Sequence, residues 1–384
     1  MDLDAFFCAV EEVFDPSLRG KPFAVGGTPE GRGVVTSCSY AARKKGVRSA
    51  MPMAQALRLC PEIISVRRNH KNYNEYSKRV MDILRTYADL VQPISIDEAF
   101  LDLSHLPLDG KSYALKIQEE IKQQVGLPSS FGIASNKLVA KIATNTAKAL
   151  HKGNDYPNAI LSVSPGKEAE FLAPLPTEAL WGVGPKTAEK LAKRGLHTIG
   201  DIAADSDIKL QRDFGKFGQY LHLRANGIDE SPVHISRETK SVSHENTFFE
   251  DTADEEKLLQ TIKRHCNSIS KRLIKLEMAG KTVKIKIRWP DFTTFTRQIS
   301  LQEATVDAEL IEQAALRLFY EYWQTGKKIR LLGVGVSELG APRKQLSLWD
   351  WKPDLHEKNQ RLAQALKEIE KKFGENLIRP ARTL

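Results

Sequence analysis

Ser95-Ile96-Asp97-Glu98-Ala99-Phe100-Leu101-Asp102 sets two adjacent carboxylates against a short apolar run, and such a run needs a reason to carry them. The chain opens on a second stretch of this kind, Asp2-Leu3-Asp4-Ala5-Phe6-Phe7, in which Asp2 and Asp4 would share one face of a strand. Adjacent Asp97 and Glu98 would diverge unless the strand ends between them. A hard divalent cation supplies the reason. Mg²⁺ takes oxygen ligands, usually one or two carboxylates with waters and substrate phosphate, and two such ions make a phosphoryl-transfer site. Taken singly, acidic pairs more often cap helices or turn the chain, so these gain meaning only in company.

Outward from these stretches, the first 165 residues alternate short β-branched runs near 23–25, 34–36 and 159–163 with helical patterns over Tyr73 to Tyr87 and Tyr113 to Val125. That is an α/β pattern. Ser164-Pro165-Gly166 turns the chain into a segment, reaching about residue 230, of short helices separated by glycines. Residues 231–240 are polar and lack an apolar period, which suits a linker. The order then becomes strand, long helix, strand, strand, helix, strand, with helices expected over Asp254 to Met278 and Asp307 to Trp323, a small α+β sandwich. In the last stretch, Asp354 and Glu357 form a capping box, and Leu355, Leu362, Leu366, Ile369 and Phe373 share one helical face over 354–373.

Composition excludes several classes. The 384 residues are 41% hydrophobic, enough for real cores, and no uninterrupted apolar run approaches the roughly 18 residues of a membrane span. Residues 1–10 carry two carboxylates and no basic stretch, so neither a secretory nor a transit peptide is expected and the protein should be cytoplasmic. Cys8, Cys38, Cys60 and Cys266 are widely spaced without a CxxC, which supports neither a disulfide framework nor a zinc finger; they read as small core residues. A net charge of +9 favours a polyanionic partner. Basic and acidic residues nevertheless balance over 241–340, so any basic surface there must come from local patterning.

Four further patterns carry chemistry. In Ser39-Tyr40-Ala41-Ala42-Arg43, Tyr40 precedes Arg43 by about one helical turn, placing a phosphate-competent guanidinium beside an aromatic ring; a solvated basic helix reads the same way. Trp181-Gly182-Val183-Gly184-Pro185-Lys186-Thr187 resembles the tail of a Walker A loop, but Pro185 sits where that loop requires glycine. It fits a helix-hairpin-helix better: Gly182, Gly184 and Lys186 surround a helix start whose free N–H groups can grip a DNA backbone. From Val283 to Trp289 apolar residues alternate with Lys284, Lys286 and Arg288, so one strand face packs while the other meets phosphate or merely solvent. Finally, Gln345-Leu346-Ser347-Leu348-Trp349 exposes large apolar side chains on a linker, a peptide anchor for a partner groove unless it folds back on its own chain.

Together these residues resemble the Y-family translesion DNA polymerases, in particular the bacterial DNA polymerase IV group, over essentially the whole chain. Asp2 to Phe7, Ser39 to Arg43, Ser95 to Leu101, Gly132-Ile133-Ala134-Ser135-Asn136-Lys137, Ala140-Lys141-Ile142-Ala143 and the hairpin at 182–186 stand in the family's order and spacing. The resemblance implies an α+β, multidomain right-hand fold: palm over 1–5 and 70–165, fingers over 6–69, a helix-hairpin-helix thumb over 166–230, a linker over 231–240, an α+β little finger over 241–340 and a tail over 341–384. It implies that two Mg²⁺ ions are held by Asp2, Asp97, Glu98 and the Leu3 carbonyl, with Asp97 and Glu98 catalytic. Tyr40, Arg43 and Lys148 would contact the dNTP triphosphate, and Phe7 would be the steric gate that excludes a ribose 2′-hydroxyl. Implied partners are primer–template DNA and the sliding clamp (beta subunit), the latter gripped through Gln345, Leu346, Leu348 and Trp349, with a monomeric chain and no membrane. The implied activity is low-fidelity, template-directed translesion synthesis without proofreading. A subunit resembling UmuC, or a non-catalytic clamp-attached DNA-binding protein, is the alternative.

The chain departs from the family's pattern twice. The family normally has several strand residues before its first metal aspartate, whereas Asp2 here follows Met1 directly, which should leave the first strand short and Asp2 loosened beside an α-amino charge. After Lys148 the family's Lys-Pro-Asp/Asn-Gly is replaced by Ala149-Leu150-His151-Lys152-Gly153, so that Lys152 is a substitute candidate for the role of Lys148.

Overall fold

A computed structural model describes residues 1–105, 109–153, 155–235 and 238–341. The anchor at 345–349 and the amphipathic stretch 354–373 lie outside the described residues. The chain divides into two compact units, Met1–Glu238 and one beginning at Thr239.

In the first unit, β1 (Asp2–Leu3) turns through Ala5, at φ 43°, into α1 (Phe6–Phe14). A small sheet follows from β2 (Phe23–Gly26) and β3 (Val35–Cys38), then α2 (Tyr40–Lys44), α3 (Met53–Leu59) and β4 (Ile64–Arg67). Its strand order is β3-β2-β4, with β3 antiparallel and β4 parallel to β2. Ala24, Val35, Met53 and Cys60 form its own buried core. Ser39 caps α2 by accepting from Ala42 N at 3.2 Å, which fixes where Tyr40 and Arg43 begin their turn.

The second part comprises α4 (His70–Tyr87), β5 (Val91–Pro93), β6 (Ala99–Leu101), α5 (Gly110–Val125), β7 (Ser129–Ile133), α6 (Lys137–Leu150) and β8 (Ile160–Ser162). Both long helices start earlier than hydrophobic period alone suggests, because polar caps extend them. Asn69 accepts from Asn72 N at 3.4 Å, and Asp109 accepts from Lys111 N and Ser112 N at 3.0 and 3.1 Å. β1 runs antiparallel to β7 with Asp2 opposite Ser130, β8 lies parallel on the far side of β7, and β5 pairs with β6. A bridge between Asp2 and Glu98 joins these ladders, so the spatial order becomes β5-β6-β1-β7-β8.

The two faces of this sheet differ. Leu3, Ala99 and Phe131 turn toward Ile117 and Ile121 of α5 and Val80 and Leu84 of α4, and all are buried in one core. The opposite face carries Asp2, Asp4 and Ser130 and is crossed by α6 at Gly132, where a Cβ would lie only 2.5 Å from Thr144 N. No other residue allows helix and strand backbones to approach so closely.

Beyond Ser162 come α7 (Glu168–Leu172), α8 (Pro185–Ala192), α9 (Ile199–Ala204), α10 (Asp207–Phe214) and α11 (Lys216–Ala225), the short helices expected between glycines. Leu172, Leu191, Ile202 and Leu221 form their core together with Leu138 and Ile142 of α6, so α6 packs on the sheet with one face and on this cluster with the other. The stretch read as a linker is partly held down: Lys137 Nζ donates to Pro232 O at 2.7 Å, and His234 N to Gln92 Oε1 at 3.1 Å.

The second unit follows the expected order: β9 (Ser241–Thr252), α12 (Glu255–Lys275), β10 (Ala279–Arg288), β11 (Thr294–Thr305), α13 (Ala308–Tyr322) and β12 (Ile329–Gly340). Its four strands run antiparallel in the order β11-β10-β12-β9. Val283, Ile285 and Ile287 are fully buried with Val334, Val336 and residues of both helices, such as Ile262 and Phe319. All four cysteines are free and buried, as their spacing suggests. No described helix is long and apolar enough to cross a membrane.

Candidate active site and nucleic-acid faces

The carboxylates are positioned by strand alternation. Met1 and Ala99 exchange both backbone hydrogen bonds, at 2.9 and 3.1 Å, and Leu3 N donates to Asp97 O at 2.9 Å. Asp2 and Glu98 between them therefore form the non-hydrogen-bonded pair, whose side chains approach more closely than those of the flanking pairs. Glu98 sits where the bend ends and β6 begins, while Asp97 remains in the bend and accepts from Ser95 Oγ at 2.6 Å. This resolves how adjacent carboxylates diverge: the strand does end between them. Leu3 turns its C=O to the same edge as its N–H, toward the Asp97 bend. Asp2 is not loosened, for it is buried and its strand is paired on both sides.

Two lysines on one face of α6 partly neutralise this cluster. Lys141 Nζ bridges Asp2 Oδ2, at 3.2 Å, and Glu98 Oε1. Lys148 Nζ pairs with Asp2 Oδ1 and, at 3.0 Å, with Asp4 Oδ1. Asp4 is fully buried and also accepts from Ser130 Oγ at 2.9 Å and Asn158 N at 3.0 Å. Burial pushes the Asp2 carboxyl up, but its hydrogen bond with Glu98 and the two ammoniums outweigh this and hold it at about 2. Glu98 moves the other way, raised by burial and by the shared hydrogen bond with Asp2. Burial lowers Lys148, yet Asp2 and Asp4 more than offset this and raise it above the usual lysine range. Three carboxylates against two ammoniums leave a negative surplus, and all the donors are hard oxygens, so the residues fit a divalent cation such as Mg²⁺. Among the described residues, however, no group of three or more His, Cys, Asp or Glu side chains is already gathered for a metal, so Asp97 is not brought together with Asp2 and Glu98.

The residues expected from the sequence to contact nucleotide adjoin this pair. Arg43 lies over the Tyr40 ring at 4.6 Å and anchors its Nε on Cys38 O at 3.2 Å. The Tyr40 hydroxyl is buried without a hydrogen-bond partner, and burial followed by the Asp4 charge pushes it up to about 12. An orphaned donor beside Lys148 and Arg43 suits an anionic ligand. The half-buried Phe7 ring packs against Tyr73 with centroids 4.4 Å apart and the planes tilted by 36°, so it is held from behind. Lys148 is thus inside the site, whereas Lys152 is exposed. Sequence reading placed Lys141 in a motif but gave it no role, although its i, i+7 relation to Lys148 on one face of the helix was a signal. It also missed His151, whose ring meets Tyr40 edge-on at 6.0 Å.

The two expected DNA-facing elements belong to different units. In the first, Gly182 takes φ 105°, Gly184 caps α8 with open space around it, and Lys186 is exposed at the helix start. In the second, Lys284, Lys286 and Arg288 all line the open sheet face, but Lys286 pairs with Glu245 at 2.7 Å and Arg288 donates to Thr294 Oγ1 at 2.7 Å. Lys286 reaches Glu245 across Gly333, and Gly335 lies between Lys284 and Ser243, so two glycines flatten the middle of this face. Their role was invisible without the register.

Comparison with known proteins decides the family. Residues 1–145 match the impB/mucB/samB family, 239–348 its C-terminal domain, and 178–229 the thumb domain of DNA polymerase-iota. The chain is 38% identical over 392 residues to DNA polymerase IV 1 of Bacillus subtilis, covering 100% of this chain and 92% of that protein. It is 40% identical over 342 residues to DNA polymerase IV of Listeria monocytogenes, covering 88% and 94%. The chain belongs to the Y-family DNA polymerases, in the DNA polymerase IV group. It is a DNA-directed DNA polymerase of the translesion class. Among solved structures, a Y-family polymerase chimera of Dbh and Dpo4 superposes with a TM-score of 0.77 at 26% identity, over 88% of this chain and 98% of that one. DinB from Sulfolobus solfataricus gives 0.60, also at 26%, over 88% and 97%.

Proposed function

We propose that this polymerase extends a primer past damaged template bases by two-metal transfer of dNTPs, at low fidelity and without proofreading. The observation that carries the reading is the pairing of Asp2 with Glu98 on the sheet face crossed by α6, beside an unpartnered Tyr40 hydroxyl and a stacked Arg43. Asp2, Asp97, Glu98 and the Leu3 carbonyl would hold two Mg²⁺ ions. When bound, these would lower the pKa of the primer 3′-hydroxyl and neutralise charge on the triphosphate. Arg43 and Lys148 meet phosphate charge, Tyr40 donates its free hydroxyl to a phosphate oxygen, and Phe7 closes the space a 2′-hydroxyl would need. Lys141 holds Asp2 and Glu98 together while the site is otherwise unbalanced.

In this reading residues 1–5 and 70–165 form the palm, 6–69 the fingers, 166–230 the thumb and 241–340 the little finger. The hairpin at Gly182, Gly184 and Lys186 and the face bearing Lys284, Lys286 and Arg288 hold the DNA backbone without reading its sequence. Gln345, Leu346, Leu348 and Trp349 tether a monomeric polymerase to the sliding clamp.

Primer extension with Mg²⁺ and all four dNTPs, comparing the chain with its Asp97→Ala, Glu98→Ala double variant, tests the metal assignment. The double variant should bind primer–template normally and add no nucleotides; synthesis by it would overturn the assignment.

A further inference from the structure

In the second unit, α12 carries charge of one sign along its outer face. From Lys257 to Lys275 it has six Lys or Arg and no Asp or Glu, and all six cations are exposed. Leu258, Ile262, Ile269 and Leu273 occupy the opposite stripe and are buried against the sheet. Because charges balance over 241–340 as a whole, the acids stand elsewhere, Glu309, Glu312 and Glu321 among them on α13, which packs beside α12 on the same sheet face. Among the described residues no cation from Lys263 to Lys275 is held in an ion pair, whereas Lys286 on the open sheet face is held by Glu245.

The spacing and the residue types suit a phosphate backbone. Lys263 with Arg264 and Lys271 with Arg272 stand eight positions apart, about 12 Å along the helix axis. That distance spans roughly three to four base steps of a duplex. Between the two pairs Asn267 and Ser268 line a shallow trough of about 430 Å³, where short polar side chains let a phosphate come close and can bond to it. Protein interfaces favour aromatic residues and Met and deplete Lys, yet 257–275 contain no Phe, Tyr, Trp or Met. Single strands are gripped by rings on which bases stack, and this stretch supplies none. Duplex backbone is the partner that remains. The core of Val283, Ile285 and Ile287 separates α12 from the face bearing Lys284, Lys286 and Arg288, so one straight duplex cannot touch both.

We infer that the exposed face of α12 binds the backbone of a second DNA duplex, without reading its sequence, while the primer–template is held elsewhere on the polymerase. Glu309, Glu312 and Glu321 confine that duplex to the α12 side, because they repel phosphate from α13. A polymerase so held keeps one contact with DNA when a primer end is released, which raises its local concentration at the next. The inference goes beyond the reading of the active site and does not depend on its metal assignment.

Sedimentation of the full chain at low salt with a labelled primer–template and a differently labelled blunt duplex, without dNTPs, counts both DNAs on each polymerase and does not require synthesis. The chain should carry one of each. Lys263→Gln, Arg264→Gln, Lys271→Gln and Arg272→Gln together should weaken capture of the blunt duplex by about tenfold or more and leave primer–template affinity and primer extension unchanged. Lys271→Gln alone should lower the slope of log affinity against log salt for that duplex by about one. Lys263→Arg with Lys271→Arg, which keeps the charge, should retain capture. Absence of a second duplex on the unaltered chain, or equal capture by the fourfold variant, overturns the site. Parallel loss of primer–template would show that α12 belongs to the primer–template path, and capture of labelled poly-glutamate but not of duplex would mark an acidic protein as the partner; either overturns the inference.

Discussion

Replacing Gly132 by alanine tests how the active site is built, because α6 carries Lys141 and Lys148 and is positioned by backbone contact at this one residue. The new Cβ would lie 2.5 Å from Thr144 N and 2.6 Å from its Oγ1, and closer still to Ala140 O, which sets the retreat needed for ordinary contact at 3.4 Å at about 1.4 Å. Two of the three atoms struck are helix backbone, which cannot rotate away. Overpacking of this kind costs typically 1–3 kcal/mol, and the rigid neighbours place Gly132→Ala at about 3 kcal/mol. The retreat also moves both ammoniums relative to Asp2 and Glu98 by about an ångström, a displacement that costs on the order of 10²-fold in catalysis. Urea unfolding of the first unit gives the stability loss, and primer extension under single-turnover conditions gives the rate. A variant within 0.5 kcal/mol of wild type that extends primers at the normal rate would show that the contact does not position α6, and the account of the site would fail with it.

Phe7→Ala should weaken the preference for dNTPs over rNTPs by roughly 10²-fold, the scale on which a close-fitting pocket rejects one added hydroxyl; an unchanged ratio in competitive incorporation refutes the gate. Lys284→Ala and Arg288→Ala should each flatten the salt dependence of DNA affinity by about one contact, and Lys286→Ala by less, since Glu245 already neutralises that ammonium. Deleting residues 345–349 should cost clamp-dependent synthesis far more than basal synthesis, because a tether acts through local concentration, and equal losses would argue against it. In the second unit, burial and then the neighbouring His244 hold His265 down to about 4 from an unfolded value of 6.5, so the unfolded state binds the extra proton first. Stability from this group is complete above pH 6.5 and falls as pH drops toward 4, by at most about 3 kcal/mol. Calorimetric unfolding across that window should show the loss, and His265→Gln should remove it.

What the sequence made legible follows from which physical signals are local. Strict alternation from Val283 to Trp289 identified a strand buried on one face, and the fully buried Val283, Ile285 and Ile287 obey it. The order of elements after residue 240 was readable because each long helix announces itself by period. Helix starts were less legible: α4 and α5 begin at His70 and Gly110 through the Asn69 and Asp109 caps, in stretches with little apolar period. The site was legible as residue types but not as an arrangement. Nothing local reveals that Asp2 lies opposite Glu98, or that Gly132 lets α6 lean close enough to hand lysines to both, because those are facts of register and of backbone approach.

The lysines also explain how the site can exist before any ligand arrives. Asp4 is fully buried and Asp2 nearly so, and an isolated carboxylate in such a place would either draw a proton or open the structure. Lys148 answers Asp2 and Asp4 together with one ammonium, and Lys141 bridges Asp2 and Glu98, while the Ser130 hydroxyl and the Asn158 N–H donate to Asp4 as well. Because each ammonium is shared between two acids, neither fully neutralises either, and the surplus charge stays negative. A fully neutralised cluster would be more stable and would offer a cation nothing. The arrangement therefore keeps the carboxylates ordered and Asp2 ionised while leaving charge that a bound cation would answer, which is why removing Lys141 should disorder Glu98 rather than simply free it.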